Sequence, residues 1–294
     1  MLLYIDNLST GSLDNLRNIN KNSRFEFVYG NILEFPDLEH LVVKSDMVFH
    51  LAASVGVEMV VKKPVLTIQT NVQGTEKILE AANITRTRIL VTSTSEVYGK
   101  SNKQTFSEND DLLIGPPSRS RWSYASSKLL DEFYCTSYHR ETGLPVNVVR
   151  LFNTVGPRQS GKYGMVLPRF VKNALKGNPL FIYGTGKQSR CFCHVKDTVN
   201  ALIGFLKVNS FGEIYNIGSQ ELCTIENLAS KVIELTESSS RIEYIPYDKA
   251  YAPGFEDMLH RAPTIEKIGK LLNWKPNHTL DQIIKDVVVY YRNL

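Results

Sequence analysis

A tyrosine and a lysine four residues apart, Tyr124 and Lys128 in the segment WSYASSK, have the types and the spacing to do acid–base chemistry. In a helix, this spacing places both side chains on one face. A nearby ammonium charge favours the phenolate form of a tyrosine, so such a phenol can remove a proton from a substrate hydroxyl near neutral pH. The same spacing is common in exposed helix pairs, so its meaning depends on the residues around it.

A second group of polar residues ends the apolar run RILVTST, where Thr94, Ser95 and Glu96 follow one another. Ligands of open parallel sheets bind at the carboxyl ends of strands, where hydroxyls can hold a sugar hydroxyl and a carboxylate can take a second proton. The structural alternative is that Thr94 and Ser95 cap a turn. Asp6 closes the first apolar run, where a dinucleotide-binding sheet places the acid that binds an adenosine ribose, although a turn-forming role is the simpler reading.

The elements that must position these residues follow a βαβ pattern through the first half of the chain. Nearly continuous apolar runs favour a parallel sheet that is buried on both faces. The predicted strands are LLYID (2–6), FEFVY (25–29), DMVFHLAA (46–53), RILVTST (88–94) and LPVNVVRLF (144–152). Helical spacing is clearest over 65–82 and 124–138. One face of the first of these helices carries Val65, Ile68, Val72, Thr75 and Leu79.

From Asn153 onward the chain changes to glycine- and proline-containing loops with shorter strands, which predicts a smaller second lobe. The strands expected there are FIY (181–183), EIYNI (213–217) and RIEYI (241–245), with helices near 165–176, 197–207 and 224–234 and a loop at Phe255, Glu256 and Asp257. We therefore predict a first domain over 1–152 and a substrate lobe over 153–294, with some later segments returning to the first domain.

Composition excludes several classes of protein. The 294 residues carry a net charge of +4, which is too small and dispersed for a nucleic-acid surface. Four cysteines form no disulfide framework, no apolar run approaches the roughly 18 residues of a membrane span, and no signal peptide opens the chain. A cytoplasmic protein is predicted. Cys191, Cys193 and His194 alternate between two faces of a strand, so no metal site is expected.

The ordered set of short motifs resembles the extended short-chain dehydrogenases/reductases that act as nucleotide-sugar epimerases, dehydratases and decarboxylases. The matching segments are IDNLS (5–9), HLAA (50–53), TNVQGT (70–75), STSEVYG (93–99), YASSK (124–128), RLFNTVGPRQ (150–159), YGTGKQSRCFCHVKD (183–197), YNIGS (215–219) and NWKP (273–276). The resemblance implies a Rossmann-type doubly wound parallel sheet with a smaller α/β lobe, bound NAD and a UDP-sugar substrate. It also implies a homodimer that pairs through the helices at 64–82 and 122–142.

The resemblance assigns a role to each site residue. Near the cofactor these are Asp6 at the adenosine ribose, Asn31 and Ile32 near the adenine, Leu51, Ala52 and Ala53 along the cofactor channel, Asn71 beside the cofactor strands, and Lys128 at the nicotinamide ribose. At the reacting sugar they are Tyr124 as the base, Thr94 at the 4-hydroxyl, and Ser95 and Glu96 beside it. Toward the nucleotide they are Asn153 and Arg190 at the diphosphate, Tyr183 at the uracil, and Arg261 at the phosphates or the sugar.

The reaction stays open between related alternatives that all begin with oxidation of the sugar at C4. The triplet Thr94, Ser95, Glu96 resembles that of UDP-glucuronate decarboxylases and GDP-mannose-type dehydratases. dTDP-glucose dehydratases have an aspartate where Ser95 stands, and the RWSYASSK segment is equally typical of 4-epimerases. Decarboxylase and UDP-glucose 4-epimerase are thus nearly level, and a 4,6-dehydratase is third.

No glycine-rich fingerprint precedes Asp6, although the family pattern places one about 20 residues before such an acid. We expect the first strand and helix of the Rossmann unit to be missing, and NAD to bind weakly or not at all. LLYID is then expected to pair with RILVTST or with its other neighbour. An inactive nucleotide-sugar-binding remnant is the alternative from another functional class.

Overall fold

The computed structural model describes residues 1–161, 165–250 and 258–294, so the loop expected at Phe255, Glu256 and Asp257 lies outside the described residues. The strands are β1 Leu2–Asp6, β2 Phe25–Tyr29, β3 Met47–His50, β4 Arg88–Thr94, β5 Val146–Leu151, β6 Thr154–Val155, β7 Leu180–Tyr183, β8 Ser189–Cys191, β9 Cys193–His194, β10 Ile214–Ile217, β11 Leu222–Thr224 and β12 Ile242–Ile245. The helices are α1 Leu38–Val43, α2 Val57–Lys62, α3 Pro64–Thr85, α4 Trp122–Thr142, α5 Val166–Ala174, α6 Val195–Gly204, α7 Ile225–Thr236, α8 Tyr247–Ala250, α9 Glu266–Leu272 and α10 Leu280–Arg292. Short 3₁₀ helices span Leu13–Leu16, Ser95–Tyr98 and Phe205–Lys207.

A four-stranded parallel sheet in the order β10-β5-β4-β3 forms the centre of the molecule. Strand β4 is buried along almost its whole length, as its apolar sequence predicts. One face packs on α1, α3 and α4 through a core that includes Leu79 and Val148. The other face packs on α6 and α9 through a core that includes Leu90 and Phe205. The predicted α/β, Rossmann-type parallel arrangement is therefore confirmed.

Strands β1 and β2 form a separate parallel pair. Of the two pairings expected for LLYID, the one with RILVTST is wrong, because β1 pairs with β2 while β4 lies between β3 and β5. No ladder joins β1 to β3 within the described ranges 1–161, 165–250 and 258–294. The pair is lightly buried, with Leu2 59% and Tyr29 69% exposed.

Helices α3 and α4 pack side by side and carry three of the predicted site residues, Asn71, Tyr124 and Lys128. Pro64 occupies the first turn of α3, where its missing N–H costs nothing. The predicted face of α3 is buried only in its second half, because Val65 and Ile68 are exposed while Thr75 and Leu79 are buried. In the first half of α3 the buried residues are small or polar, and they contact α4 and the loop after β3.

The second lobe surrounds its own apolar core, which packs α5, α7 and α10 together. Its short sheets are β7–β12 and β6–β9, which are parallel, and β8–β11, which is antiparallel. Strand β10 follows Asn153 in sequence and pairs with β5 of the central sheet. The division at residues 152 and 153 stays a prediction. Of the helices described, none is both long and apolar enough to cross a membrane.

Candidate active site

The carboxyl end of β4 leads directly into a 3₁₀ helix that presents Glu96. The Thr94 hydroxyl oxygen accepts a hydrogen bond from the Glu96 backbone N–H at 3.2 Å, so Thr94 caps the turn. Thr94 also hydrogen bonds to the Tyr124 side chain. Its capping role and its place beside the predicted base therefore coexist. Ser95 is 1% exposed next to it.

Helix α4 positions Tyr124 and Lys128 beside this strand end. The pKa of Tyr124 is raised, first by burial and then by the negative charge of Glu96, while the hydrogen bond with Thr94 opposes the rise. The prediction that the phenol has a lowered pKa is therefore wrong. The Lys128 ammonium instead donates to Asp131 at 2.8 Å. Lys128 is 2% exposed, so it lies behind the cavity wall rather than in it.

Glu96 is held by two arginines from distant parts of the chain. Its oxygens lie 3.0 Å from an Arg121 nitrogen and 2.6 Å from an Arg261 nitrogen. Burial alone would raise the pKa of Glu96, but the charges of Arg261, Arg121 and Arg190 together lower it to about 2. Glu96 is therefore a carboxylate at any physiological pH, and it accepts hydrogen bonds instead of donating them.

The predicted nucleotide-side residues already take part in backbone contacts. Asn153 donates to the Cys191 carbonyl at 2.8 Å and has a positive φ of 35°, which fixes the bend after β5. Arg190 donates to the carbonyls of Ser189 and Met258, both at 2.8 Å. These bonds hold the side chains in place at the cavity, and the contact of Asn153 or Arg190 with a diphosphate stays a prediction.

A cavity of about 450 Å³ brings many of the predicted residues together. The predicted residues on its wall are Thr94, Ser95, Glu96, Tyr124, Asn153, Tyr183, Arg190 and Arg261. Sequence reasoning missed Arg121, Arg169, Gln188 and Tyr247, which also line it. Arg169 lies 4.4 Å from the centre of the Tyr183 ring. A signal for Arg121 was available, because it precedes Tyr124 by three residues at the start of the same helix.

The predicted cofactor residues lie outside this cavity wall. The Asp6 carboxylate accepts from Leu8 N–H and Tyr4 hydroxyl, each at 2.6 Å, which matches the turn-forming reading. Asn31 accepts from the Leu33 N–H at 3.1 Å. Ile32 packs in the core, Leu51 and Ala52 are exposed, and Ala53 is half-buried.

Asn71 joins three elements beside Lys128. Its side chain accepts from the Ser54 N–H at 2.8 Å and donates to the Ser127 hydroxyl at 2.9 Å, so it ties the loop after β3 to α3 and α4. The ribose and nicotinamide end of NAD fits beside this loop, the Lys128 ammonium and the Tyr124 phenol. The ammonium offers two further donors besides the one given to Asp131. No cluster of three or more metal-ligating side chains occurs in the part of the chain that the structure describes.

A parallel sheet whose carboxyl edge faces a tyrosine–lysine helix defines an NAD-dependent, Rossmann-type class of enzyme. The chain belongs to the GDP-mannose 4,6 dehydratase family, whose family model matches residues 3–287. It is 42% identical over 265 residues to the UDP-N-acetyl-alpha-D-glucosaminuronate decarboxylase of Bacillus cytotoxicus, with 90% of this chain and 82% of the relative covered. It is 33% identical over 296 residues to UDP-glucuronic acid decarboxylase 1 of Arabidopsis thaliana, with 99% and 64% covered.

A solved structure is similar over nearly the whole chain. The UDP-glucuronic acid 4-epimerase of Bacillus cereus, in complex with UDP-glucuronic acid and NAD, matches with a TM-score of 0.87 and 28% identity. The match covers 99% of this chain and 90% of that one. The family is one of NAD-dependent nucleotide-sugar decarboxylases, epimerases and dehydratases.

Proposed function

We propose that the protein is a UDP-hexuronate decarboxylase that oxidises its substrate at C4 and then releases C6 as CO₂. The arginines around Glu96 carry this proposal. Arg121, Arg190 and Arg261 all act on this carboxylate on the cavity wall. Guanidinium groups at the predicted reacting end suit a sugar that brings a carboxylate of its own. The names of the two curated relatives, both decarboxylases of UDP-linked uronic acids, support the same reaction.

Tyr124 is the proposed base for the proton of the sugar 4-hydroxyl. Its hydrogen bond with Thr94 orients the phenol toward the strand end where that hydroxyl would lie. NAD, when bound, supplies the acceptor for the hydride from C4. Because burial and Glu96 raise the pKa of Tyr124, the base depends on nearby positive charge such as that of Arg261 to stabilise its phenolate. Tyr124 later returns the proton to the C4 oxygen.

Decarboxylation needs little further help once C4 is a ketone. The C6 carboxylate then belongs to a β-keto acid, whose C5–C6 bond breaks with the electron pair passing toward the C4 carbonyl. A proton from water then adds to C5, and the hydride that left C4 returns to it, which restores the 4-hydroxyl of the pentose. Arg121 and Arg261 bind and orient that carboxylate by sharing donors now given to Glu96. Glu96 stays ionised because its pKa is about 2, so its role is to hold the arginines and to accept from the sugar.

Product analysis tests the reaction. The protein is incubated with NAD and, in parallel, UDP-glucuronate, UDP-N-acetylglucosaminuronate and UDP-glucose, and CO₂ and UDP-pentose products are measured. We expect CO₂ only from the uronates. Interconversion of UDP-glucose and UDP-galactose without release of CO₂ would overturn the proposal in favour of a 4-epimerase. A second candidate, the 4-epimerisation of a UDP-uronate, is supported by the solved relative and would give a product of unchanged mass.

Variants of the charged cluster test the role of the positive charge. Arg261→Met should lower kcat/KM for a UDP-uronate by about 10- to 100-fold, because a charged hydrogen bond is lost. Glu96→Gln should impair decarboxylation more than any residual epimerisation. The matched control is Glu213→Gln, which breaks an exposed pair with Lys267 and should leave turnover unchanged. Equal uronate turnover by wild type and Arg261→Met would contradict the assignment.

We also propose a homodimer that forms through the outer faces of α3 and α4. Val65 and Ile68 on α3 and Leu130 and Phe133 on α4 are between 43% and 66% exposed, on two helices that pack against each other. Light scattering of the wild type should give a dimer, and Phe133→Glu should shift it toward monomer. A wild-type monomer at micromolar concentration would contradict the proposal.

A further inference from the structure

A second carboxylate, not part of the predicted site, contacts the lysine of the tyrosine–lysine pair. The Lys128 ammonium donates to the Asp131 carboxylate at 2.8 Å, and the two side chains are 2% and 0% exposed. The residues are three apart on α4, so they share one face of the helix. An ion pair so completely removed from water is expensive to form unless its geometry is fixed and its partners are close.

The surroundings of this pair are themselves polar and come from three elements. The titratable groups next to it are Glu132 and Cys135 on α4 and His50 on β3. His50 contacts the Thr75 hydroxyl of α3 at 3.1 Å, and burial together with the Lys128 charge lowers the pKa of His50 to about 3. Burial raises the pKa of Asp131, against the opposing effects of Lys128 and Thr75. His50 is thus neutral beside the ion pair of Lys128 and Asp131.

We propose that Asp131 is a positioning residue that fixes the Lys128 ammonium for the cofactor ribose, and that its negative charge acts on Tyr124, which lies two turns earlier on the same face of α4. The proposal rests on the role of Tyr124 as the base. An ammonium has three N–H donors, and the one given to Asp131 leaves two for the vicinal hydroxyls of a ribose. Without this bond the flexible lysine side chain would have to be ordered by the cofactor alone.

The negative charge of Asp131 acts on Tyr124 together with groups from other elements. Glu96 and Asp131 both raise the pKa of Tyr124, whereas Arg261 and the hydrogen bond with Thr94 lower it. Removing the Asp131 charge therefore stabilises the phenolate and shifts the deprotonation of Tyr124 to lower pH. Neutralising Glu141 should not do so, because this exposed carboxylate lies near the other end of α4 from Tyr124 and is screened by water.

Two variants separate charge from position. Asp131→Asn removes the charge and keeps an acceptor of the same size, whereas Asp131→Glu keeps the charge and moves the carboxylate by one methylene. For Asp131→Asn we expect the base limb of the pH profile of NADH formation to move down by about one pH unit, with NAD affinity by calorimetry within about threefold of wild type. For Asp131→Glu we expect an unchanged limb and NAD affinity about tenfold weaker.

Glu141→Gln is the matched control, because it neutralises an exposed carboxylate of the same helix and should leave the base limb in place. An unshifted limb in Asp131→Asn, or wild-type NAD affinity in Asp131→Glu, overturns the proposal. NADH formation reports oxidation at C4 and not the fate of C6, so a wild type that forms NADH without releasing CO₂ would refute the decarboxylase proposal and leave this test intact. Calorimetry measures the positioning effect of Asp131 without any turnover.

Discussion

Two parallel ladders of this molecule hold their polar residues in very different ways. At β4 and β5, the strands that present the candidate site, polar side chains are buried and paired with one another. At β1 and β2, which carry Asp6, the contacts are short-range and exposed, and Tyr4 is 37% exposed where it donates to Asp6. The proposed catalytic half of the site is thus fixed by buried charge, while the predicted adenosine half is held by little more than the pairing of two strands.

The buried network behind the site is centred on Glu132 and Arg150. Arg150 binds both oxygens of Glu132, at 2.9 and 2.7 Å, and Ser93 donates to the same carboxylate at 2.5 Å. Arg150 also donates to the Tyr98 hydroxyl at 2.9 Å, which donates to Asn216 at 2.8 Å. These bonds tie α4 to β4, β5 and β10, and so they fix the helix that carries Tyr124 against the strand end that carries Glu96.

The contrast between the β4–β5 region and the β1–β2 pair is tested most strongly by removing the Tyr124 hydroxyl. Tyr124→Phe should lower turnover by about 10²- to 10⁴-fold, because the proposed base for the 4-hydroxyl proton is lost. Binding of the nucleotide sugar, measured by calorimetry, should remain close to wild type because the arginines are unchanged. Turnover near the wild-type value would remove Tyr124 from the mechanism.

Breaking the buried pair of Arg150 and Glu132 should have the next largest effect, which is a loss of stability. Arg150→Met leaves the Glu132 carboxylate buried without its bidentate partner, so the free energy of unfolding should fall by about 3–5 kcal/mol. Urea denaturation measures the change. A matched exposed pair is Lys231 and Asp281, where Lys231→Met should cost no more than about 1 kcal/mol. Equal losses in the two variants would contradict the contrast between buried and exposed pairs.

The elements of the fold were largely predictable because their signals are local. LLYID, FEFVY and RILVTST coincide with β1, β2 and β4 as predicted, since apolar runs of this length bounded by polar turns have few other ways to be buried. The exposure of Val65 and Ile68 on α3 was not predictable from spacing alone, because sequence spacing shows that residues share a face but not what lies opposite that face.

The individual residues of the site were predictable from the sequence, but the ion pairs between them were not. Tyr124, Glu96 and Arg261 were each singled out, yet the ion pair of Glu96 with Arg261 joins segments that are far apart in sequence, and no local pattern indicates it. The pair of Lys128 with Asp131 was within reach of helical spacing. It was missed because Lys128 was assigned only to Tyr124 and the nicotinamide ribose.

Removing one hydroxyl from the network behind the site should have an intermediate effect. Tyr98 is fully buried and stacks on Phe106 with ring centres 4.6 Å apart, so Tyr98→Phe keeps the packing. The change leaves Asn216 without the donor for its side-chain oxygen, and the free energy of unfolding should fall by about 1–3 kcal/mol. Thermal and urea denaturation check this value. A neutral result would show that water replaces the hydroxyl and that the network is less closed than its contacts indicate.

The smallest effect is expected for the same substitution in the β1–β2 pair. Tyr4→Phe removes a hydrogen bond to Asp6 that is largely open to water, and Asp6 keeps its bond from the Leu8 N–H, so the free energy of unfolding should fall by less than about 1 kcal/mol. Tyr29→Phe, which changes a more exposed tyrosine on the neighbouring strand, is the control. NAD affinity should stay within about threefold of wild type, because the variant frees one Asp6 oxygen for a ribose without moving the strand. A loss as large as that of Tyr98→Phe would mean that this pair is held as firmly as the central sheet, and the contrast between the two regions would fail.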